Sequence, residues 1–399
     1  MRRLLATIGL GVMLVMPARA SAAAEPVRIV LVEPRSGAGA PEALHGEQGF
    51  RLGLDDATGG TRAVRGRPVE LTIHEDRGDP AATGLLLAAA YRAGTADLAV
   101  ALGSSETALA LLPVAASFKR ILLVAQAHAD AITGADRNRY VFRTAYSAGL
   151  LALAGALAVA LPELNLFVAA EDTRDGRDTV ADLKAALGRF ATGTFFVGSR
   201  LVLPQGTDVG RAVSAEFDGL HDLHGAKTLL TVWAGAKPPI RAIAATDPGR
   251  FGIRLALGGN LDPNAPLPGV ALEGVTAYFY AMPLNPVNDR LVAAWRRRYR
   301  ARPDSFAAGG MTAALALVAA LKAAPAMETE ALVATMEGLR FETPKGGMIF
   351  RREDHQALQV MFQFRSTPPA AGDARAPAPE LVHEFTIPEL PLAVQPGPG

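Results

Sequence analysis

The chain has 399 residues, half of them hydrophobic, and its 40 Lys and Arg against 39 Asp and Glu leave a net charge of +1. That length can hold two domains with cores of their own, and the charge balance argues against a nucleic-acid surface. The absence of cysteine rules out disulfides, a thiolate nucleophile, a cysteine zinc site and a lipid anchor on cysteine.

The N-terminus joins a basic "MRR" to a short apolar "LLATIGLGVMLVM" and a small-residue site, Ala18-Arg19-Ala20. This reads as a secretory signal peptide cut after Ala20 or Ala24, so residues 1–24 are expected to lie outside the fold. The apolar run is short for a membrane span, and the mature chain is expected to be soluble, exported and monomeric.

From residue 27 onward, apolar β-branched runs alternate with helix patterns. "VRIVLVEP" (27–34) precedes a helix carrying Phe50, Leu54 and Ala57 on one face, stopped by Gly59 and Gly60. "PVELTIHED" (68–76) precedes a helix with Asp79 as N-cap and Pro80 at its first position. "LAVALGSS" leads into a helix with Ala108, Leu111, Leu112 and Ala115 on one face, then come "RILLVAQA" and "YVFRTA". "LNLFVAAED" (164–172) opens a second series through "TVADLKAALGRF", "GSRLVLP", a helix from Asp208, "TLLTVWAGA" and "GIRLALGGN". Two helices, "NDRLVAAWRRRYRA" and "DSFAAGGMTAALALVAALKAA", follow "EGVTAYFYAMPL". "GGMIFRRED" and "LQVMFQFR" read as a β-hairpin. Residues 367–399 are a Pro/Ala-rich tail, expected to be extended or disordered apart from a weakly alternating "LVHEFTI" (381–387).

Uniformly apolar strands alternating with helices imply parallel sheets covered on both faces. The fold class is therefore α/β, with two doubly wound, Rossmann-like units in tandem. Ligands in such units bind at the carboxyl ends of the strands.

The residues at those ends are the candidates. Ser104 and Ser105 stand where a strand becomes a helix. A serine there can cap the helix, or the free N–H groups of the helix start can hold a carboxylate. A nucleophile is the weakest reading, since "LGSSET" lacks the second glycine of a Gly-x-Ser-x-Gly elbow. Ala127, His128 and Ala129 follow the next strand; a lone histidine can be structural or a ligand contact. "AEDTRDGRD" places Asp175 at the corresponding end in the second unit, where Arg174 or Arg177 could pair with it. Trp233 and Asn260 end two further strands, Trp233 as a pocket wall or as core. "SGAGAPE" (36–42) fails as a dinucleotide fingerprint because Glu42 stands where a small residue belongs. His221 and His224 have helical spacing but no further metal ligands nearby. "WRRRYRAR" (295–302) reads as a solvated helix end or, more sharply, a docking face. No catalytic set, metal or cofactor is called.

Five segments together resemble the type I periplasmic binding proteins of ABC importers, in the branched-chain amino acid (Leu/Ile/Val) group. They are "HGEQGFRLGLDDA", "HEDRGDPAAT", "GSSETALALLPVAA", "AEDTRDGRD" and "ALEGVTAYFYA", and their order spans about residues 26–366. The resemblance implies two lobes joined by crossing strands: 26–145 plus 280–342, and 146–279 plus 343–366. It implies a small-molecule ligand in the cleft, such as an amino acid, amide or small organic acid, and an ABC permease as partner in the inner membrane. It implies a periplasmic location and no catalysis. It places a ligand carboxylate at Ser104, Ser105 and the 127–129 loop. Asp175 stands where the family has a tyrosine, Asn260 where amino acid binders carry an acid, and Met311 where a tyrosine is common. Those departures weaken the expectation of an ordinary branched-chain amino acid. A ligand-sensing module acting on a receptor is the alternative within the same fold, and a secreted serine hydrolase the alternative outside it.

Overall fold

The computed structural model describes residues 24–203, 208–235, 237–265, 267, 269–368, 378–395 and 397. The expected signal peptide lies outside the described residues except for Ala24, as does the tail segment 369–377.

The first series runs β1 (Val27–Pro34), α1 (Ala40–Thr58), β2 (Ala63–Val64), β3 (Arg67–Asp76), α2 (Pro80–Arg92), β4 (Leu98–Ala101), α3 (Ser105–Phe118), β5 (Leu122–Val124) and β6 (Val141–Arg143). These strands form one sheet in the order β2-β3-β1-β4-β5-β6. All neighbours are parallel except β2 on β3. The order reverses at β1, where a doubly wound sheet opens a crevice at its carboxyl edge. Asp79 accepts from the Ala82 amide (3.0 Å), with Pro80 beginning α2.

The second series runs α4 (Ala148–Val159), β7 (Leu164–Glu171), α5 (Arg174–Phe190), β8 (Thr194–Val202), α6 (Val209–Ser214), α7 (Phe217–His221), β9 (Ala226–Trp233), α8 (Ile240–Ala244), β10 (Ile253–Gly259) and β11 (Leu272–Thr276). Then come α9 (Pro286–Tyr299), α10 (Ser305–Ala323), α11 (Thr329–Met336), β12 (Arg340–Thr343), β13 (Gly346–Phe350), β14 (Ala357–Leu358), β15 (Met361–Ser366) and β16 (Glu380–Phe385). The second sheet has the order β16-β15-β11-β10-β9-β7-β8, parallel from β8 to β11 and antiparallel at β15 and β16.

The C-terminal helices return to the first unit. Helix α10 crosses α1 so closely that a Cβ on Gly49 would sit 2.0 Å from the Ala307 carbonyl, and one on Gly310 1.9 Å from that of Gly46. Only glycine permits that approach. Leu317, Val318 and Leu321 of α10 then share a core with Ile29, Leu31, Phe50 and Val100.

Two expectations need revision. The hairpin drawn from "GGMIFRRED" and "LQVMFQFR" does not form as one unit. Strands β12, β13 and β14 make a small sheet of their own, and Phe350 and Ala357 bury in the first core. Strand β15 instead joins the second sheet, where Phe362 and Phe364 are fully buried. The segment 343–358 thus packs with the first unit rather than the second, because its apolar side chains face that core. The tail, secondly, is structured beyond its expected strand. Phe385 and Leu390 enter the second core. The chain then passes to Arg351, which donates to the Leu392 carbonyl (2.6 Å), and to Asp130, which accepts from Gln395 (3.2 Å).

The tail is therefore expected to contribute to folding stability. Leu390→Ala should cost about 2–5 kcal/mol in urea unfolding, as buried leucines do, whereas Val382→Ala, at an exposed site, should stay within about 0.5 kcal/mol. Equal costs would mean that the tail contacts carry no stability.

Candidate functional site

The carboxyl ends of β4 and β5 meet the first turn of α5 where the two sheets approach. Ser104 caps α3: its Oγ accepts from the Thr107 amide (3.2 Å) and it is exposed. Ser105 is buried, and its Oγ accepts from the amides of His128 (3.1 Å) and Ala129 (3.0 Å). With both N–H groups directed at that oxygen, its own proton is left to favour the Asp175 carboxylate, whose ionised form Ser105 stabilises. The two adjacent serines thus divide the work: Ser104 takes the cap and Ser105 the junction.

His128 stacks on Tyr146 with ring centroids 4.0 Å apart. Its Nδ1 lies 2.9 Å from the Tyr146 carbonyl. A carbonyl only accepts, so Nδ1 carries the proton and Nε2 is an acceptor. Burial pushes the His128 pKa down to about 4, which keeps the ring neutral near pH 7. His128 meets Ser105 through its backbone amide rather than its imidazole, so the pair is not a nucleophile–base dyad. Ala127 and Ala129 are buried in the first unit's core.

In the second unit, Thr173 caps α5, accepting from the Gly176 amide (3.2 Å). A Cβ on Gly176 would lie 2.0 Å from the Glu171 carbonyl, so this glycine lets α5 start directly against the end of β7. That contact sets Asp175 at the junction. Its Oδ1 is buried without a hydrogen bond. Burial raises the Asp175 pKa, while Ser105 and the His128 amide oppose the rise. Arg177 pairs with Asp172 instead. Asn260 is buried; its Nδ2 donates to the Ala234 carbonyl and its Oδ1 has no partner. Trp233 is buried at the end of β9 but does not line the two junction cavities described next.

A cavity of about 10 Å³ is lined by His128, Tyr146, Glu171, Asp175 and Val232, among others. A second, of about 30 Å³, is lined by Gln126, His128, Tyr146, Asn260, Tyr278, Ser305, Phe306 and Lys345. The stacked His128–Tyr146 pair belongs to both. A larger concavity, about 580 Å³, lies elsewhere, between α1 and α9. It borders Arg297 and Arg298 of the basic run and the Arg290–Asp56 ion pair (2.6 Å). Arg296 and Arg302 sit over the Tyr280 ring, so the run is anchored at a helix end.

His128, Asp175 and Asn260 line the two cavities and Ser105 lies beside them, bonded to the His128 and Ala129 amides, whereas Ser104, Ala127, Ala129 and Trp233 do not line them. Met311 is core, and His221 meets the Phe251 carbonyl (3.1 Å). Sequence reasoning missed Tyr146, Glu171, Tyr278, Ser305, Phe306 and Lys345. Glu171, the last residue of β7 before "DTRDG", carried the one usable signal: a carboxylate closing an apolar strand.

A family model of periplasmic binding proteins matches residues 26–373. A solved ABC-type branched-chain amino acid transporter protein from Rhodopseudomonas palustris CGA009 is 37% identical, with a TM-score of 0.80 over 93% of this chain and 99% of that one. More distant is a solute-binding protein of an ABC transporter from Rhodopseudomonas palustris BisB5, solved with 3,4-dihydroxybenzoic acid; it is 19% identical, with a TM-score of 0.77 over 92% and 99% of the two chains. A Leu-, Ile-, Val-, Thr- and Ala-binding protein from Brucella ovis, in a closed conformation, is 18% identical, with a TM-score of 0.77 over 93% and 98%. No curated protein matches.

Glu171 gives a test of the junction's electrostatics. Burial raises its pKa to about 7, against opposing amide bonds from Gly235 and Ala234. A carboxyl group with a raised folded pKa favours folding below its unfolded pKa of 4.5 and loses that advantage as pH rises through about 7. Relative to wild type, Glu171→Gln should therefore gain about 3 kcal/mol of unfolding free energy between pH 4 and pH 8. A pH-independent difference in chemical denaturation would show that Glu171 is not strained by burial.

Proposed function

Because the chain belongs to the type I periplasmic binding protein family, we propose that it is the substrate-binding component of an ABC importer. In this reading the first sheet, with the small β12–β14 sheet, is one lobe and the second sheet the other. A small solute, an amino acid, amide or organic acid, is captured between them and carried in the periplasm to an inner-membrane permease. No bond is made or broken.

The observation that carries this reading is the concentration of polar atoms without partners where the sheets meet. Tyr146 OH, Asp175 Oδ1, Asn260 Oδ1 and Ser305 Oγ are all buried and unbonded. Native proteins leave few such groups, because each costs about 1–3 kcal/mol. Their convergence on two adjoining cavities is the pattern of a site completed by a ligand. The three passages of chain between the sheets, at 144–147, 277–285 and 359–360, are suited to hinge closure about a bound molecule.

Thermal denaturation against a panel of amino acids, amides and small organic acids tests the proposal. A solute at one hundred times its dissociation constant should stabilise the protein by about 2.7 kcal/mol, visible as a raised melting temperature. A flat response of extensively dialysed protein to the whole panel would sink the reading.

A further inference from the structure

Lys345 is among the junction residues with no counterpart among the sequence-based candidates. It lies in the turn between β12 and β13 yet is only 5% exposed. Its amide is fixed by Thr343 Oγ1 (3.1 Å), and its Nζ donates to Gln359 Oε1, a neutral acceptor. Among the described residues it forms no ion pair, and no carboxylate lines the cavity it borders. Burial alone draws its pKa down to about 7, with no negative charge opposing the fall. An ammonium has three protons to donate, and one neutral acceptor leaves it short of both charge and bonds. Buried charges are normally paired.

We propose that Lys345 is the anion anchor of this cavity and that the ligand is a carboxylate borne on an aromatic ring. The proposal rests on the solute-binding reading above and specifies the solute. The negative charge answers Lys345. The unpartnered hydroxyls of Tyr146 and Ser305 and the unpartnered oxygen of Asn260 serve the ligand's remaining polar edge. The flat walls are aromatic: Tyr146 stacked on His128, with Tyr278 and Phe306. Such walls favour a planar guest in stacked or edge contact.

The arrangement disfavours a zwitterionic amino acid. An α-ammonium held near its own carboxylate would stand beside Lys345. The carboxylates Glu171 and Asp175 line the other cavity, across the His128–Tyr146 pair. The cavity of about 30 Å³ has room for about one water molecule, so an aromatic acid enters only as the two sheets separate, which is the movement the solute-binding reading already requires.

Calorimetric titration of the full chain with benzoate and 4-hydroxybenzoate, and with their neutral amides and leucine as comparators, decides the matter. At least one acid should bind at least tenfold more tightly than its amide and than leucine. Lys345→Met should lose at least tenfold in affinity for that acid while melting at or above the wild-type temperature, since the variant removes an uncompensated buried cation. Comparable binding of acid and amide would overturn the proposal without recourse to any variant, as would retention of affinity within twofold in Lys345→Met. Binding of leucine without either aromatic acid would overturn it while leaving the solute-binding reading intact; silence across the wider solute panel would overturn both.

Discussion

The junction depends on one buried guanidinium. Arg143, the last residue of β6, is 1% exposed and donates to the Ala129 carbonyl (2.6 Å), Thr133 Oγ1 (2.8 Å) and Gln356 Oε1 (2.6 Å). Gln356 in turn donates to the Ala145 carbonyl (2.9 Å). Burial lowers the Arg143 pKa only to about 10, so the group stays charged. A single cation thereby binds the loop after β5 to the segment before β14 and, through Gln356, to the passage at 144–147. Fixing the Ala129 carbonyl also fixes the neighbouring amides that converge on Ser105. Charged hydrogen bonds are about twice as strong as neutral ones, and losing the donor would strand three buried acceptors. The loop that presents His128 owes its shape to this residue rather than to its own sequence of small side chains.

How far the sequence revealed this follows from the range of the interactions involved. Strands β1, β4, β5, β7, β9 and β10 were legible because parallel strands buried on both faces need unbroken apolar runs. The Asp79 cap was legible because capping is local, and Ser104 presented the same signal. The meeting of Ser105, His128, Asp175 and Asn260 was accessible through strand ends, since topology brings those ends to one edge. Lys345 was not. "TPKGG" reads locally as a solvated turn, and nothing nearby in sequence shows that β12 and β13 fold under α10 and bury it. Segment 343–366 shows the same difficulty: Phe350 and Phe362 look alike in sequence, and only the distant cores they enter separate them. Arg143 likewise looks like an ordinary strand-end arginine until Gln356, 213 residues away, comes beside it.

Burial at this junction is arranged against stability. Glu171 and Asp175 stand on one side of the His128–Tyr146 stack and Lys345 on the other, so opposite charges that could have neutralised one another are held apart. Their pKa shifts all run toward neutral forms, upward for the acids and downward for the lysine, as burial without pairing demands. Proteins depart from complete polar satisfaction chiefly where function requires it.

That cost has a direction. In the solute-binding reading proposed above, separation of the sheets would let water reach Lys345, Tyr146 and Asp175 and satisfy them. With the sheets together and no guest, each is left short. The unpaired groups would therefore raise the energy of an empty closed junction more than that of an open one. In that reading a guest supplying the missing charge and acceptors would remove the penalty only in a junction re-closed around it. A ligand shifts such an equilibrium by no more than its difference in affinity for the two states. In the proposed reading the difference would come from what the protein leaves unsatisfied, so the same orphan groups that weaken the empty fold would couple occupancy to closure.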